Sequence, residues 1–208
     1  MNIVEYAKFK KMFGNSGGAG SGGSGIENGI EYLEINNWNQ LLRAKVYGKC
    51  IVAKAFQGNT VLTSVELPNT LTDIEADAFN GCTKLVLTQL PESVIKVQSN
   101  TFRDCSLIAL TKLPSRIETI NNYAFFNCQK LSASTIPSTV VTLGTYAFAH
   151  CYALKSLTFE GKPQTIGANC FNSCTGLKTI NVPWAEGEVS GAPWGASSAT
   201  INYNYTGG

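Results

Sequence analysis

Phenylalanine recurs at an interval of 23 residues through most of this chain, and this spacing limits the possible folds more than any other feature. The six residues are Phe56, Phe79, Phe102, Phe125, Phe148 and Phe171. A fixed period of roughly 20–50 residues indicates units that cannot bury an apolar face alone and therefore stack on one another. The sequence thus predicts a solenoid with one coil per period, and we number coils 1 to 6 by these phenylalanines.

Other columns keep the register of the phenylalanines. A cysteine follows Phe by three residues in coils 2 to 6, whereas Asn59 takes this place in coil 1. The cysteines are Cys82, Cys105, Cys128, Cys151 and Cys174. An apolar residue comes three positions later and a proline follows in five of the coils, as in Leu62 to Pro68. Because proline cannot donate to a strand ladder, we expect a short strand that ends there, and one tight helical or 3₁₀ turn around each Phe.

These units have the form Leu-Pro-x-x-(Leu/Val)-x-x-Ile-x-x-x-Ala-Phe-x-x-Cys-x-x-Leu, as in Leu67–Leu85, and they resemble the BspA-type (Treponema-type) leucine-rich repeats. The resemblance covers residues 48–183. It implies an α/β solenoid, a leucine-rich repeat of six 23-residue coils with short strands, helical or 3₁₀ turns and a cap at each end. It also implies surface-exposed binding or adhesion proteins of bacteria and their phages, without a shared catalytic residue.

Composition divides the chain into five segments. Residues 1–13 carry aromatic side chains and lysines, and residues 14–25 are almost entirely glycine and serine. Residues 26–47 match the repeat only faintly and are expected to form the N-terminal cap. Residues 48–183 form the leucine-rich repeat solenoid, and residues 184–208 are expected to be the C-terminal cap. Caps are expected because the open end of a solenoid exposes its core.

Tryptophans are placed where caps are expected. Trp38 should cover coil 1, and Trp184 and Trp194 should seal the last coil, with sugar binding by these two rings as the alternative. The alternating run from Thr200 to Tyr205 predicts a strand in the C-terminal cap.

Residues 1–13 place Ile3, Tyr6, Phe9 and Phe13 at near-helical spacing. This pattern indicates either a short, marginal helix or an anchor. Such an anchor would dock on a partner, such as other virion proteins, or join copies into a homo-oligomer. A helix on a membrane surface is a third alternative. Residues 14–25 are a flexible tether if native, and otherwise an artificial junction.

The N-terminal segment has neither the apolar core nor the Ala-x-Ala site of a classical signal peptide. This favours release by another route, such as assembly into a phage particle, and a virion or extracellular surface location. The opening residues and the segment 182–187 also resemble the termini of prophage-encoded structural proteins.

Charge and hydropathy argue against two classes of protein, those that bind nucleic acid and those that span a membrane. The 208 residues carry a formal net charge of +2, and only 14% of them are charged. Without a basic stripe, nucleic acid is not expected as a partner. No stretch approaches 18 consecutive apolar residues, so no transmembrane segment is expected.

The cysteine column predicts buried free thiols. Coils stack about 5 Å apart, which exceeds the roughly 3.5–4.5 Å between Cβ atoms that a disulfide needs. The alternative is a bridge or a metal site at Cys170 and Cys174, although His150, the single histidine, does not complete a zinc set.

Sequence motifs give no indication of catalysis, a metal or a cofactor. The chain has no nucleophile elbow, phosphate-binding loop, zinc motif or calcium loop. Asp73, Glu75 and Asp77 alternate in one coil, but the neighbouring coils place no acidic residues beside them. We therefore predict that the protein is not an enzyme and binds no metal there.

An aromatic cluster breaks the repeat in coils 4 and 5 and is the best candidate site. Tyr123 and Tyr146 both precede Phe by two residues, so they should be neighbours on successive coils. Phe126, His150 and Tyr152 lie on the adjacent turns. These five residues would form an exposed patch of the kind that marks interfaces, for a protein or a glycan on a cell surface. The plain alternative is that the rings pack on one another and bind nothing.

A second candidate surface is a column of polar strand residues. Its members are Glu66, Gln89, Lys112, Thr135, Thr158 and Asn181. This surface suits contact with glycan or protein, and equally a solvated face. Together these features predict a non-catalytic binding protein, either a structural or host-attachment component of a phage or prophage virion, or a bacterial cell-surface adhesin of the BspA type.

Overall fold

The computed structural model describes residues 26–27, 30–35 and 40–207. The described residues form strands and turns and contain no α- or 3₁₀-helix. None of their elements is therefore a helix that could span a membrane. The strands are β1 Ile26–Glu27, β2 Ile30–Ile35, β3 Leu41–Val46, β4 Cys50–Ile51, β5 Ser64–Glu66, β6 Asp73–Ile74, β7 Lys96–Val97, β8 Thr119–Ile120, β9 Thr135–Ile136, β10 Thr142–Leu143, β11 Ser156–Phe159, β12 Thr165–Ile166, β13 Thr179–Asn181 and β14 Thr200–Asn202.

One parallel sheet runs the length of the solenoid and confirms the predicted coils. Its six strands follow the order β12-β10-β8-β7-β6-β4, one from each coil. Each pair joins residues 23 apart, as when Ile51 lies opposite Ile74 and Ile74 opposite Val97. The apolar residue of each strand points inward and is buried, so the solenoid core begins along this column.

The opposite face carries two shorter sheets with a gap between them. One has the order β1-β2-β3-β5 and the other β14-β13-β11-β9, so coils 2 and 3 contribute no strand. Coils 1, 5 and 6 bury the third residue after the leucine column, as at Leu157, whereas coils 2 to 4 turn the second residue inward, as at Leu110. The buried position thus differs by one residue between these two groups of coils, although β9 of coil 4 still pairs with β11 of coil 5.

The turn around each phenylalanine differs from the expected helical turn. In coil 2, Ala78, Asn80 and Cys82 donate backbone hydrogen bonds to the residues three positions earlier, forming overlapping turns. The backbone N–H groups of Asp77, Phe79 and Gly81 point instead along the solenoid axis. They donate to coil 3, at Ser99, Thr101 and Arg103 respectively, over 3.0, 2.8 and 2.8 Å.

Left-handed residues make these turns compatible with stacking. Asp77 and Gly81 have φ of +59° and +77°, and the equivalent residues of every other coil also have positive φ. A left-handed residue at each end of the turn interrupts the right-handed helical conformation, in which the N–H groups would bond back along the chain, and every second N–H bonds to the next coil instead. We call the resulting line of hydrogen-bonded turns the turn ridge.

The phenylalanines stack in a continuous column inside the ridge. Successive ring centroids lie 4.9, 5.2, 5.4, 5.4 and 5.8 Å apart, and neighbouring rings are inclined by no more than 16°. All six rings are buried. Each such ring removes enough apolar surface from water to make its truncation to alanine cost about 3–5 kcal/mol.

The cysteine column consists of free buried thiols that bond to the neighbouring coil, as predicted. Each Sγ donates to the carbonyl of the phenylalanine 26 residues earlier, over 3.0–3.2 Å. Asn59 does the equivalent in coil 1, where its Nδ2 donates to the carbonyl of Leu41 over 3.0 Å. Cys170 is also a free, buried thiol, so no bridge joins it to Cys174.

Both ends of the solenoid are covered by chain segments outside the repeat. At the first coil, β2 and β3 form an antiparallel hairpin and β3 pairs in parallel with β5. At the last coil, Trp184 and Trp194 are buried against Phe159, with ring centroids 5.3 and 6.3 Å from it. β14 then extends one sheet by a further strand.

Trp194 lies 23 residues after Phe171 and continues the ridge. Its carbonyl accepts the backbone N–H of Phe171 over 2.9 Å. The burial of Trp184 and Trp194 agrees with the expectation that they seal the last coil. The expected anchor in residues 1–13, the linker in residues 14–25 and Trp38 lie outside the described residues.

Candidate binding surface on the turn ridge

The two tyrosines of coils 4 and 5 are neighbours, as their spacing predicts. The rings of Tyr123 and Tyr146 stack with centroids 5.2 Å apart and an angle of 10°. Asn169, the equivalent residue of coil 6, donates its Nδ2 to the hydroxyl of Tyr146 over 3.0 Å. The ridge therefore carries a polar-tipped aromatic stack outside the buried phenylalanine column.

The other three candidate residues extend this pair through a continuous series of ring contacts. The ring centroid of Phe126 is 5.7 Å from that of Tyr123 and 5.0 Å from that of His150. His150 in turn contacts Tyr152 edge to face at 6.0 Å, and its Nδ1 lies 3.0 Å from the Tyr152 hydroxyl. We call these five residues the aromatic patch. Tyr152 is its most exposed member, at 40%.

Three members of the patch have a left-handed backbone conformation, which the two tyrosine side chains disfavour and which histidine tolerates better. Tyr123, Tyr146 and His150 have φ of +56°, +55° and +60°. In the other coils the equivalent positions are held by asparagine, aspartate, glycine, lysine or serine. Positive φ is tolerated by glycine, asparagine and aspartate, and it is a genuine outlier for a bulky residue. Strain of this kind persists where the surrounding structure enforces it and is concentrated at functional sites.

Arg103 completes the patch on the side of coil 3 and is not among the residues predicted from the sequence. Its guanidinium carbon lies 5.4 Å from the ring centroid of Tyr123 and 5.2 Å from that of Phe126. It also pairs with Asp104 at 3.5 Å. The signal was present in the sequence, because Arg103 and Phe126 both follow the repeat phenylalanine by one residue in successive coils.

The faces of the central rings are occupied by neighbouring residues. Tyr123 is covered by Tyr146 from coil 5 and by Arg103 from coil 3. At Tyr123 the patch thus presents a ring edge and a hydroxyl group rather than an open aromatic face. Such a surface suits the rings and hydrogen-bonding groups of a protein interface, where tyrosine and arginine are enriched.

The second candidate surface is divided between different environments. In coils 5 and 6 its amides are engaged internally, because Asn181 donates to Thr158 over 3.1 Å and Asn202 donates to Asn181 over 2.8 Å. Near the gap between sheets the column borders a small groove of about 180 Å³, lined by Val65, Leu67, Asn69, Leu87, Gln89, Leu90 and Pro91. The column therefore spans two environments, hydrogen-bonded amides in coils 5 and 6 and the edge of a groove in coil 2.

The alternating carboxylates of coil 2 are used locally. Glu75 accepts hydrogen bonds from the backbone of Ala53 at 2.9 Å and from the thiol of Cys50 at 3.6 Å. Asp77 accepts from Asn80 at 2.7 Å. Among the described residues, no three histidine, cysteine, aspartate or glutamate side chains are arranged to hold a metal ion.

Solved structures share this fold at low sequence identity. The leucine-rich repeat protein TpLRR of Treponema pallidum is 22% identical with a TM-score of 0.59, over 72% of this chain and 80% of that one. A leucine-rich repeat protein from Bacteroides ovatus is 24% identical with a TM-score of 0.58, over 75% of this chain and 46% of that one. A leucine-rich cell surface protein from Faecalibacterium prausnitzii is 23% identical with a TM-score of 0.53, over 78% and 55% of the two chains.

This chain therefore spans about half of the Bacteroides and Faecalibacterium proteins that it resembles. Among curated proteins, none matches it. The model of the BspA type leucine-rich repeat region matches residues 49–178 in six copies, which agree with the six coils. The chain belongs to the BspA type leucine-rich repeat family.

Proposed function

We propose that this protein is a non-catalytic binding protein whose aromatic patch recognises a protein on a cell surface. The observation that carries the proposal is the placement of Tyr123 and Tyr146 at left-handed positions. The equivalent residues of the other coils are Lys54, Asp77, Asn100 and Asn169, none of which is aromatic. Large rings at these positions cost backbone energy that folding does not require, so a role in binding accounts for them.

A protein partner is favoured over a glycan by the orientation of the rings. Sugars bind by stacking on an open aromatic face, and the faces of Tyr123 are covered by Tyr146 and Arg103. Protein interfaces use tyrosine and arginine through edges, hydroxyls and guanidinium groups as well as faces. The polar column on the opposite side remains the alternative surface for a glycan.

The relatives of this chain support a location at the cell surface rather than in a phage particle. The Faecalibacterium relative is a cell surface protein, and membership of the BspA type family is compatible with adhesion. The phage or prophage virion role inferred from the sequence gains no support from these relatives. Under either role, residues 1–13 would serve as the anchor and residues 14–25 as the tether.

Adhesion of protein-coated beads to cultured epithelial cells tests the proposal. We expect the wild-type protein to adhere, and the double variant Tyr123→Asn/Tyr146→Asn to lose most of this adhesion. Trypsin treatment of the cells should abolish binding, because the partner is a protein. Periodate oxidation of surface glycans should leave binding unchanged.

Variants of the opposite face provide the control. Thr158→Ala/Asn181→Ala removes the polar column of coils 5 and 6 and should adhere like the wild type. Equal adhesion by the tyrosine variant and the wild type would remove the patch from the binding surface. Loss of adhesion after periodate would assign binding to a glycan. Loss of adhesion with the control variant would assign it to the polar column.

A further inference from the structure

Charge is distributed unevenly along the solenoid, and the aromatic patch lies in the basic half. Residues 48–118 contain seven basic and seven acidic side chains. In residues 119–183 the single acidic side chain is Glu160. The same stretch contains four lysines, namely Lys130, Lys155, Lys162 and Lys178. Among the described residues, Lys162 pairs with Glu188 at 2.6 Å, whereas the other three have no carboxylate within ion-pair distance.

Two of these lysines lie near Tyr152 in the chain order of the coils, Lys155 in the same coil and Lys178 in the next one. The Nζ of Lys178 donates to the carbonyl of Thr175, which is the equivalent of Tyr152 in coil 6, over 3.1 Å. The Nζ of Lys155 lies 3.1 Å from the position that a β-carbon on Gly176 would take, beside the Tyr152 carbonyl. Lys155 thus follows Tyr152 by three residues in coil 5, and Lys178 takes the equivalent place in coil 6.

A third lysine lies on the other side of Tyr152. The backbone N–H of Ala153 bonds to the carbonyl of Gln129 over 3.1 Å, which places Lys130 on the coil next to Tyr152. The side chains of all three lysines are exposed. Arg103 lies at the opposite end of the patch, partly neutralised by Asp104. The aromatic patch thus has a cation at each end, and Glu160 is the single carboxylate between residues 119 and 183.

We propose that the partner of the aromatic patch is an acidic protein segment, with aromatic or aliphatic side chains against the rings and carboxylates against Lys130, Lys155 and Lys178. This inference rests on the proposed function, because it names the chemistry of the partner at the same site. Complementary charge raises association rates and selects the partner, and like charge opposes the wrong one. Three ammonium groups without carboxylate partners among the described residues, near the exposed ring of Tyr152 and the half-buried rings of the patch, fit an acidic surface and repel a basic one.

Binding of short synthetic peptides tests this chemistry directly. Three peptides have equal length and equal tyrosine content, and their remaining positions are glutamate and glycine, glutamine and glycine, or lysine and glycine. We expect the glutamate peptide to bind most tightly and the lysine peptide least. Raising the salt to about 0.5 M should bring the affinities together, because exposed charges are screened at that ionic strength.

Charge variants of the protein locate the effect. Lys155→Gln/Lys178→Gln should weaken binding of the glutamate peptide about tenfold at low salt and leave the glutamine peptide unchanged. The matched control Lys84→Gln/Lys96→Gln removes the same charge from coil 2 and the start of coil 3 and should bind all three peptides like the wild type.

The outcomes separate this inference from the proposed function. If Tyr146→Asn/Tyr152→Ser weakens every peptide but the three peptides bind equally well, the patch is a binding site and its acidic specificity is wrong. If these tyrosine changes affect no peptide, the patch itself is wrong. If heparin displaces the glutamate peptide at a lower concentration than polyglutamate does, the lysines serve a sulfated glycan and the acidic-protein assignment is overturned.

Discussion

At the scale of the residue, two columns of left-handed positions decide which side chains the turn ridge accepts. The period of the sequence identified the buried phenylalanines and the free thiols, because each lies at a fixed place in a repeated core. It did not identify the sign of φ, which a single residue type does not reveal. The columns contained the signal, since Asn100, Asn127, Asn169, Gly58 and Gly81 all occupy them, and these types tolerate positive φ.

The cysteine column should make the stability of the protein depend on pH in alkaline solution. Burial raises the pKa of the Cys82 thiol from 9.0 to about 12, and burial raises that of Cys174 to about 11. Below pH 9 both states hold the proton and stability is constant. As pH rises from 9 toward these values the unfolded chain loses the proton first, so stability falls.

The variant Cys82→Ser isolates this effect, because its hydroxyl can still donate to Phe56 but does not titrate in this range. Urea unfolding at pH 8 and pH 11 should show that the wild type loses about 2 kcal/mol more than the variant does. The same loss in both proteins would mean that Cys82 is not a buried protonated thiol.

At the scale of the element, the repeat predicted one sheet well and the other poorly. The inward column of the first sheet is apolar in all six coils, so its register was unambiguous. On the opposite face the buried position shifts between Val65 in coil 1 and Leu87 in coil 2, and shifts back between Ala133 in coil 4 and Leu157 in coil 5. The sequence shows these residues, but only the packing decides which of two adjacent positions points inward.

The C-terminal segment offers a matched pair of tryptophan substitutions. The indole Nε1 of Trp184 is buried without an acceptor among the described residues, whereas that of Trp194 donates to the Ser190 carbonyl over 2.8 Å. Replacing Trp184 by Phe removes an unsatisfied donor, while replacing Trp194 by Phe strands a carbonyl. We expect Trp194→Phe to lower the free energy of unfolding by about 1–3 kcal/mol more than Trp184→Phe does. Urea denaturation checks this, and a reversed order would show that the two indoles are held differently.

At the scale of the whole molecule, the solenoid separates the fold from the site. Each coil contacts mainly its neighbours, so residues on the outside of the ridge can change in one coil without disturbing the stack. The sequence predicted that Tyr123, Phe126, Tyr146, His150 and Tyr152 lie together because they fall in adjacent repeat positions. It could not predict the contribution of Arg103 or the direction of the lysine side chains, which depend on rotamers between coils.

The central claim is that the aromatic patch exists for binding and is not needed for folding. The most direct test is the free energy of unfolding of Tyr123→Asn/Tyr146→Asn beside that of Phe125→Ala, measured by urea denaturation. Relief of left-handed strain, about 1 kcal/mol per site, should offset the lost stacking of about 0.5–1.5 kcal/mol. We therefore expect the tyrosine variant to stay within about 1 kcal/mol of the wild type, while Phe125→Ala loses about 3–5 kcal/mol. A tyrosine variant as unstable as Phe125→Ala would show that the rings hold the ridge together, and would contradict the claim.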